Sequence, residues 1–269
     1  HRSEHMRLLS WLRRKEPPPE MRTTALAMVL LPESAAVDGT VVLEHLRTQW
    51  SDVPRVAEIS TEEGVTTARI PGGIVALGYI PAPVPAGDLE GPAAVAWHWP
   101  TAQAELARHR GHVIVHASST SLDPLDLRLL HTKLVASVVA TADAIGVYVG
   151  GAMLVRSAED YLDDAREASR EDLPLLLWIG FNLVSEDAEL SVYTTGLGDF
   201  GLLELEIRRS SRPAPELFGT LADVANYQIS TGRVLRDGDT FGASETDRHR
   251  VRHTESEFMS GTTVAVLEL

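Results

Sequence analysis

Tyr193-Thr194-Thr195-Gly196-Leu197-Gly198-Asp199-Phe200-Gly201-Leu202-Leu203-Glu204-Leu205-Glu206-Ile207 decides how the chain is read. The stretch contains a literal G-x-G-x-x-G. A dinucleotide fingerprint opens a helix at its last glycine, so that backbone N–H groups meet the pyrophosphate. Here the glycines run into Leu203-Glu204-Leu205-Glu206-Ile207, apolar and acidic by turns with a period of two. That period belongs to a half-buried strand. The glycines then sit in a strand-to-strand connection that uses positive φ, and no nucleotide or other cofactor is expected. Glu204 and Glu206 share one face of the strand. The alternation turns that face to solvent; inside a closed sheet the same pair could act as acid and base or receive a cation.

Outward from this stretch, Leu175–Leu183, Leu190–Thr195 and Leu203–Arg208 read as three successive strands. Pro215 opens a helix with Leu217, Leu221, Val224, Ala225 and Gln228 turned inward, and Gly232 closes it. Arg236-Asp237-Gly238-Asp239 is a turn, and strands near His249–His253 and Thr263–Leu269 end the chain. Upstream, Ser157-Ala158-Glu159-Asp160 resembles a capping box opening a helix to about Asp172. Its stripe is Ala158, Tyr161, Leu162 and Ala165. The rest is acidic, with Glu159, Asp160, Asp163, Asp164 and Glu167 as the candidate partner surface.

In the first half, Ala25–Leu31 is a buried central strand ended by Pro32. Asp38 caps a helix through Trp50, and short strands follow at Arg55–Ile59, Val65–Ile70 and Ile74–Ile80. A helix from about Pro92 to His109 is kinked or split at Pro100. Val113–Val115 is a strand, Asp123-Pro124 starts a helix to about Thr141, and Ile145–Val149 is another strand. This order matches a ferredoxin-like split βαβ sheet with helices on one face. The expected organisation is α+β. Residues 1–21 form a tag remnant and a basic, proline-bearing tail; 22–150 form a ferredoxin-like domain; 151–269 form a mainly antiparallel sheet-and-helix domain.

The 269 residues include no cysteine, which removes thiolate nucleophiles and Cys-based zinc sites, and the formal net charge is −14. Such a body argues against nucleic acid, which needs clustered Lys and Arg, and favours a basic protein as partner. Met6–Lys15 sets Leu8, Leu9, Trp11 and Leu12 among Arg7, Arg13, Arg14 and Lys15. It is too short to span a bilayer, so stable membrane insertion is not expected and a cytoplasmic setting is. Five histidines lie between His98 and His131 without an H-E-x-x-H pattern. His112 and His116 would stand about 13 Å apart on an extended strand, too far to share an ion, so no metal site is expected. G-x-S-x-G is absent, and Ser118-Ser119-Thr120-Ser121 beside His116 reads as turn chemistry before the Asp123 cap.

Leu173-Pro174-Leu175-Leu176-Leu177-Trp178, Thr194-Thr195-Gly196-Leu197 with Phe200-Gly201, Glu204-Leu205-Glu206-Ile207, Asp237-Gly238-Asp239-Thr240 with Gly242, and Val251-Arg252-His253-Thr254-x-Ser256 resemble the bacterial family catalogued as domain of unknown function 4261. Met28-Val29-Leu30-Leu31 and the basic tail are similar too. The resemblance implies no activity and carries over no catalytic residue.

Three expectations follow, leaning away from catalysis. The first is a binding or interaction protein for a basic partner, of the kind bacterial immunity proteins are. The second is an enzyme or small-molecule binder with a site between the halves, lined by Thr194, Thr195, Glu204, Glu206, His253 and Ser256. The third is a membrane-peripheral adaptor using Met6–Lys15.

Overall fold

The computed structural model describes residues 23–33, 37–244 and 247–269. The tag remnant and the basic, proline-bearing tail to residue 21 lie outside the described residues. The first half runs β1 (Thr23–Leu31), α1 (Gly39–Gln49), β2 (Ala57–Glu62), β3 (Val65–Ile70), β4 (Gly73–Ile80), α2 (Ala86–Ala94), α3 (Ala102–Leu106), β5 (Gly111–Ser119), α4 (Pro124–Thr141), β6 (Gly146–Val149) and β7 (Leu154–Ser157). The second runs α5 (Ala158–Glu167), α6 (Leu175–Trp178), β8 (Gly180–Glu186), β9 (Glu189–Thr195), β10 (Leu205–Ser210), α7 (Ala214–Thr231), β11 (Thr240–Ser244), β12 (Asp247–Glu255) and β13 (Thr263–Glu268).

The strands form two sheets, ordered β2-β3-β4-β5-β1-β6-β7 and β11-β12-β13-β10-β9-β8. All ladders are antiparallel except β10 beside β13, so the class is α+β, as expected. In the first sheet β1 lies between β5 and β6, which α4 joins. β2 and β3 extend this sheet at one edge and β7 at the other. The expected division at residue 150 falls inside the β6–β7 hairpin, and the first sheet reaches Ser157.

Local signals explain most elements. The Asp38 carboxylate accepts from Thr40 N at 2.9 Å and opens α1. Asp123 accepts from Leu125 N at 2.9 Å, with Pro124 at the first helical position of α4. Ser157 accepts from Asp160 N at 3.1 Å and opens α5, which stops at Glu167 rather than Asp172. α4 is buried on nearly every side, as expected of a helix whose apolar residues cover most of its circumference. One hydrophobic cluster runs from Val29 on β1 through Leu134, Tyr161 and Trp178 to Ile207 on β10 and Leu221 on α7. The two sheets thus share a core.

The stretch at 92–109 is split, one of the two forms expected, into α2 and α3; its bounds are corrected, since α2 begins six residues before Pro92 and α3 ends at Leu106. Trp99 and Pro100 occupy the break, with Trp99 buried. Leu175–Leu183 is not one strand: α6 makes a turn of helix and only then does β8 begin. That turn drops Leu177 and Trp178 into the core, where the indole donates to Thr132 Oγ1 at 2.8 Å.

His131 sits inside α4, 3% exposed, with Nε2 at 3.1 Å from the Val115 carbonyl. Burial, and then the nearby Arg128 charge, lower its pKa to about 3. The unfolded chain titrates this imidazole near 6.5. Its contribution is therefore complete above that pH and is lost as pH falls from about 6.5 towards 3, at about 1.4 kcal/mol per unit. Urea denaturation at pH 7.5 and pH 5 should show about 2 kcal/mol of stability lost to this group. That part of the difference should vanish in His131→Leu.

Candidate functional site

β9 ends at Thr195, and the chain then turns on Gly196 (φ 109°), a 3-10 turn over Leu197–Phe200, and Gly201 (φ 71°). β10 follows in extended conformation, as the period-two reading requires. The glycine amides do not open onto a helix mouth. Gly196 N and Gly198 N donate to Glu204 Oε1 at 2.9 and 3.1 Å. Thr194 Oγ1 donates to Glu204 Oε2 at 2.8 Å and accepts from Leu205 N at 2.8 Å. A concavity of backbone N–H groups favours an anion, and here the anion is the chain's own carboxylate, 9% exposed.

Glu206 is fully buried. Its Oε2 accepts from Arg208 Nε at 2.7 Å and pairs with Arg208 Nη2 at 2.6 Å. Its Oε1 accepts from Ser256 Oγ, which itself accepts from Phe258 N and Met259 N at 3.0 and 2.8 Å. Tyr193 stands opposite Glu206 on β9 and stacks on Phe258 at 4.9 Å. Burial, then the Glu206 charge, raise the Tyr193 phenol above its ordinary pKa. The expectation that these two glutamates face solvent is therefore wrong. Each finds partners, the glycine turn for Glu204 and Arg208 with Ser256 for Glu206, so a polar side chain can occupy the inside of the strand.

The six candidate site residues do not converge on one pocket. Thr194 and Glu204 close the glycine turn, and Glu206 and Ser256 tie β10 to the segment after β12. Thr195 Oγ1 donates to the Ala152 carbonyl at 2.6 Å. His253 Nε2 lies 3.0 Å from the Leu235 carbonyl, while its backbone N donates to Asp237 at 2.9 Å. His98 and His112 likewise bond the carbonyls of Val155 and Ala82, and Val84 N donates to His109 Nε2. These rings clip backbone to backbone.

A cleft of about 620 Å³ does lie between the halves, bordered by the start of α4, the glycine turn and the end of α7. Beside it Arg128, 6% exposed, donates to Asp199 at 2.6 Å and lies over the Phe200 ring. Gln228 Oε1 accepts from Leu235 N at 3.0 Å, which fixes the amide orientation and leaves its buried Nε2 without an acceptor among the described residues. Sequence reasoning missed Arg128, a buried arginine flanked by Leu127 and Leu129 on α4. Gln228 was legible as inward-facing, and an inward glutamine near a helix end signals a polar need.

On α5, Glu159, Asp163 and Glu167 are exposed at intervals of four residues, which places them along one ridge. Asp163 is paired with Arg166. Asp160 and Asp164 are half-buried: Asp160 accepts from Ser157 Oγ at 2.7 Å and Asp164 pairs with Arg156 at 2.6 Å. The expected five-residue acidic surface thus divides into a three-residue ridge and two residues bonded within the fold.

Residues 193–268 match the family model described as Domain of unknown function (DUF4261), which bears out the resemblance read from the residues. The match spans the glycine turn, both buried glutamates, α7 and the last three strands. Its description assigns no activity. No curated protein and no solved structure matches the chain.

Proposed function

We propose, with residues 193–268 taken as a DUF4261 segment, that this chain is a non-catalytic binding protein directed at a basic protein partner, as bacterial immunity proteins are. The observation that carries the reading is the α5 ridge of Glu159, Asp163 and Glu167. Like charges four apart on a helix cost about 0.2–0.5 kcal/mol per pair, and a cationic surface relieves that repulsion. The formal charge of −14 adds a long-range field of the same sign. The bonding of Glu204, Glu206, Ser256 and His253 within the fold supports the non-catalytic part. A cysteine-free chain is compatible with the bacterial cytoplasm, which is the setting proposed.

The test is the association rate with a basic partner. It should fall about tenfold between 50 and 500 mM salt. Replacing the ridge carboxylates by amides (Glu159→Gln, Asp163→Asn, Glu167→Gln) should slow association at low salt and flatten that dependence. A rate indifferent to both salt and the triple replacement would remove the electrostatic basis of the reading.

A second reading, a small-molecule site between the halves, is favoured by one observation: the Gln228 amide donor, buried beside the cleft without an acceptor among the described residues. The membrane-peripheral reading concerns Met6–Lys15, outside the described residues. Among those described, no helix is long and apolar enough to cross a membrane.

A further inference from the structure

An open sheet edge invites pairing with another chain unless charge, irregularity, shortness or cover defends it. β2 carries Glu58 and Glu62 and a break in register. β7 has four residues and packs against α2. β8 has none of these defences along most of its length. Gly180-Phe181-Asn182-Leu183-Val184-Ser185 is uncharged, and the strand pairs with β9 over seven consecutive positions without a bulge.

The outward groups of β8 follow from its hairpin. The loop is two residues, Asp187 and Ala188, both with positive φ, so Glu186 and Glu189 form the closing hydrogen-bonded pair. Bonding then alternates along the strand, and Phe181, Leu183 and Ser185 turn their N–H and C=O away from β9. Trp97 Nε1 donates to the Phe181 carbonyl at 3.3 Å from that side, which agrees with the parity. The N–H and C=O groups of Leu183 and Ser185 have no backbone partner among the described residues.

Apolar surface lies beside this edge. Leu183 is 43% and Trp97 57% exposed. The Trp97 ring stacks on Phe218 at 5.6 Å, and Phe218 also meets Phe181 on β8. Met153 and Leu176 continue the exposed apolar surface around one depression shared with Trp97 and Phe181. Contiguous exposed apolar side chains of this kind mark interaction sites. Carboxylates flank the edge at its hairpin end, where Glu186, Asp187 and Glu189 are exposed. Arg156, in the same depression, is buried and paired with Asp164.

We propose that β8 is a docking edge onto which an extended segment of a basic partner protein adds as a further strand. Its main chain bonds Leu183 and Ser185, its apolar side chains cover Leu183 and Trp97, and its lysines or arginines meet the flanking carboxylates. Main-chain bonds give such an added strand its affinity, and side chains on alternate positions give its specificity. The proposal rests on the reading of this chain as a binder of basic protein, and it names the surface and conformation of the segment bound.

The full chain, isotopically labelled, is titrated with a capped synthetic peptide alternating lysine with valine and tryptophan, and separately with a counterpart carrying glutamate for lysine. Amide hydrogen exchange is read residue by residue. The lysine peptide should slow exchange at Leu183 and Ser185 by about tenfold or more, and the glutamate peptide should not. Leu183→Pro removes an N–H that β9 does not use and should weaken binding about tenfold. Leu183→Lys, at an exposed position, should weaken it similarly and guards against a proline that disturbs folding. Binding of the lysine peptide with unchanged exchange at Leu183 and Ser185 would overturn the docking edge while leaving the basic-partner reading standing. Binding of neither peptide would overturn the edge and count against that reading as well. Protection at these amides without peptide, rising with protein concentration alongside a dimer mass in sedimentation, would identify a second copy as the occupant and also overturn the proposal.

Discussion

Replacing Glu206 by alanine is expected to cost about 3–5 kcal/mol of folding stability, the range found when one partner of a buried ion pair is removed. The carboxylate is fully buried, and Arg208, only 17% exposed in its side chain, loses the nearer of its two charge partners and keeps only Glu257 at 3.5 Å. The Ser256 hydroxyl loses its acceptor, and the link from β10 to the segment after β12 goes with it. Ser256→Ala leaves the ion pair intact and should cost less, about 1–2 kcal/mol. Urea denaturation of the two variants against the parent checks both values. The direction also bears on function: removing a catalytic group from a strained site commonly stabilises a protein, whereas a group that holds the fold together destabilises it when removed.

The second large effect is expected at Gly196. Its φ of 109° is one that side-chain-bearing residues rarely adopt. A Cβ there would lie 2.5 Å from the Trp178 carbonyl oxygen and 2.8 Å from Ala152 Cβ. The backbone penalty is about 1–2 kcal/mol and the overpacking about 1–3 kcal/mol, so Gly196→Ala should lose about 3 kcal/mol in the same assay. Gly201 also has positive φ, but nothing lies within reach of a Cβ there. Gly201→Ala should carry only the backbone part, about 1–2 kcal/mol. The difference between the two variants measures how tightly the first glycine is wedged between α6 and the β6–β7 connection.

What was legible in the sequence was whatever local chemistry specifies. Asp38, Asp123 and Ser157 announce helix starts because their side chains satisfy amides two or three residues away. Gly232 ends α7 because its positive φ is cheap only for glycine. The period-two run after Gly201 identified β10 and so disposed of the nucleotide fingerprint. What escaped depends on partners distant along the chain. The alternation around Glu204 and Glu206 looks like a solvated face until Ser256, fifty residues on, supplies a donor, and until the glycine amides fold back onto Glu204. Leu175–Trp178 carries no period at all, so only the pull of the core on Leu177 and Trp178 distinguishes a turn of helix from a strand. Arg128 sits among leucines on α4, and nothing near it in sequence points to Asp199.

The most direct test of the central claim is amide exchange at Gly196 and Gly198, in the parent and in Glu204→Ala. Alanine removes both carboxylate oxygens, so Gly196 N, Gly198 N and Thr194 Oγ1 all lose the acceptor they share. The expected result is slow exchange at both glycine amides in the parent, faster exchange in the variant, and a stability loss of about 1–3 kcal/mol. Amides that exchange at the rate of an open loop in the parent, unchanged by the substitution, would contradict it. The glycine turn would then present free N–H groups to an incoming anion, and Glu204 would be free for chemistry.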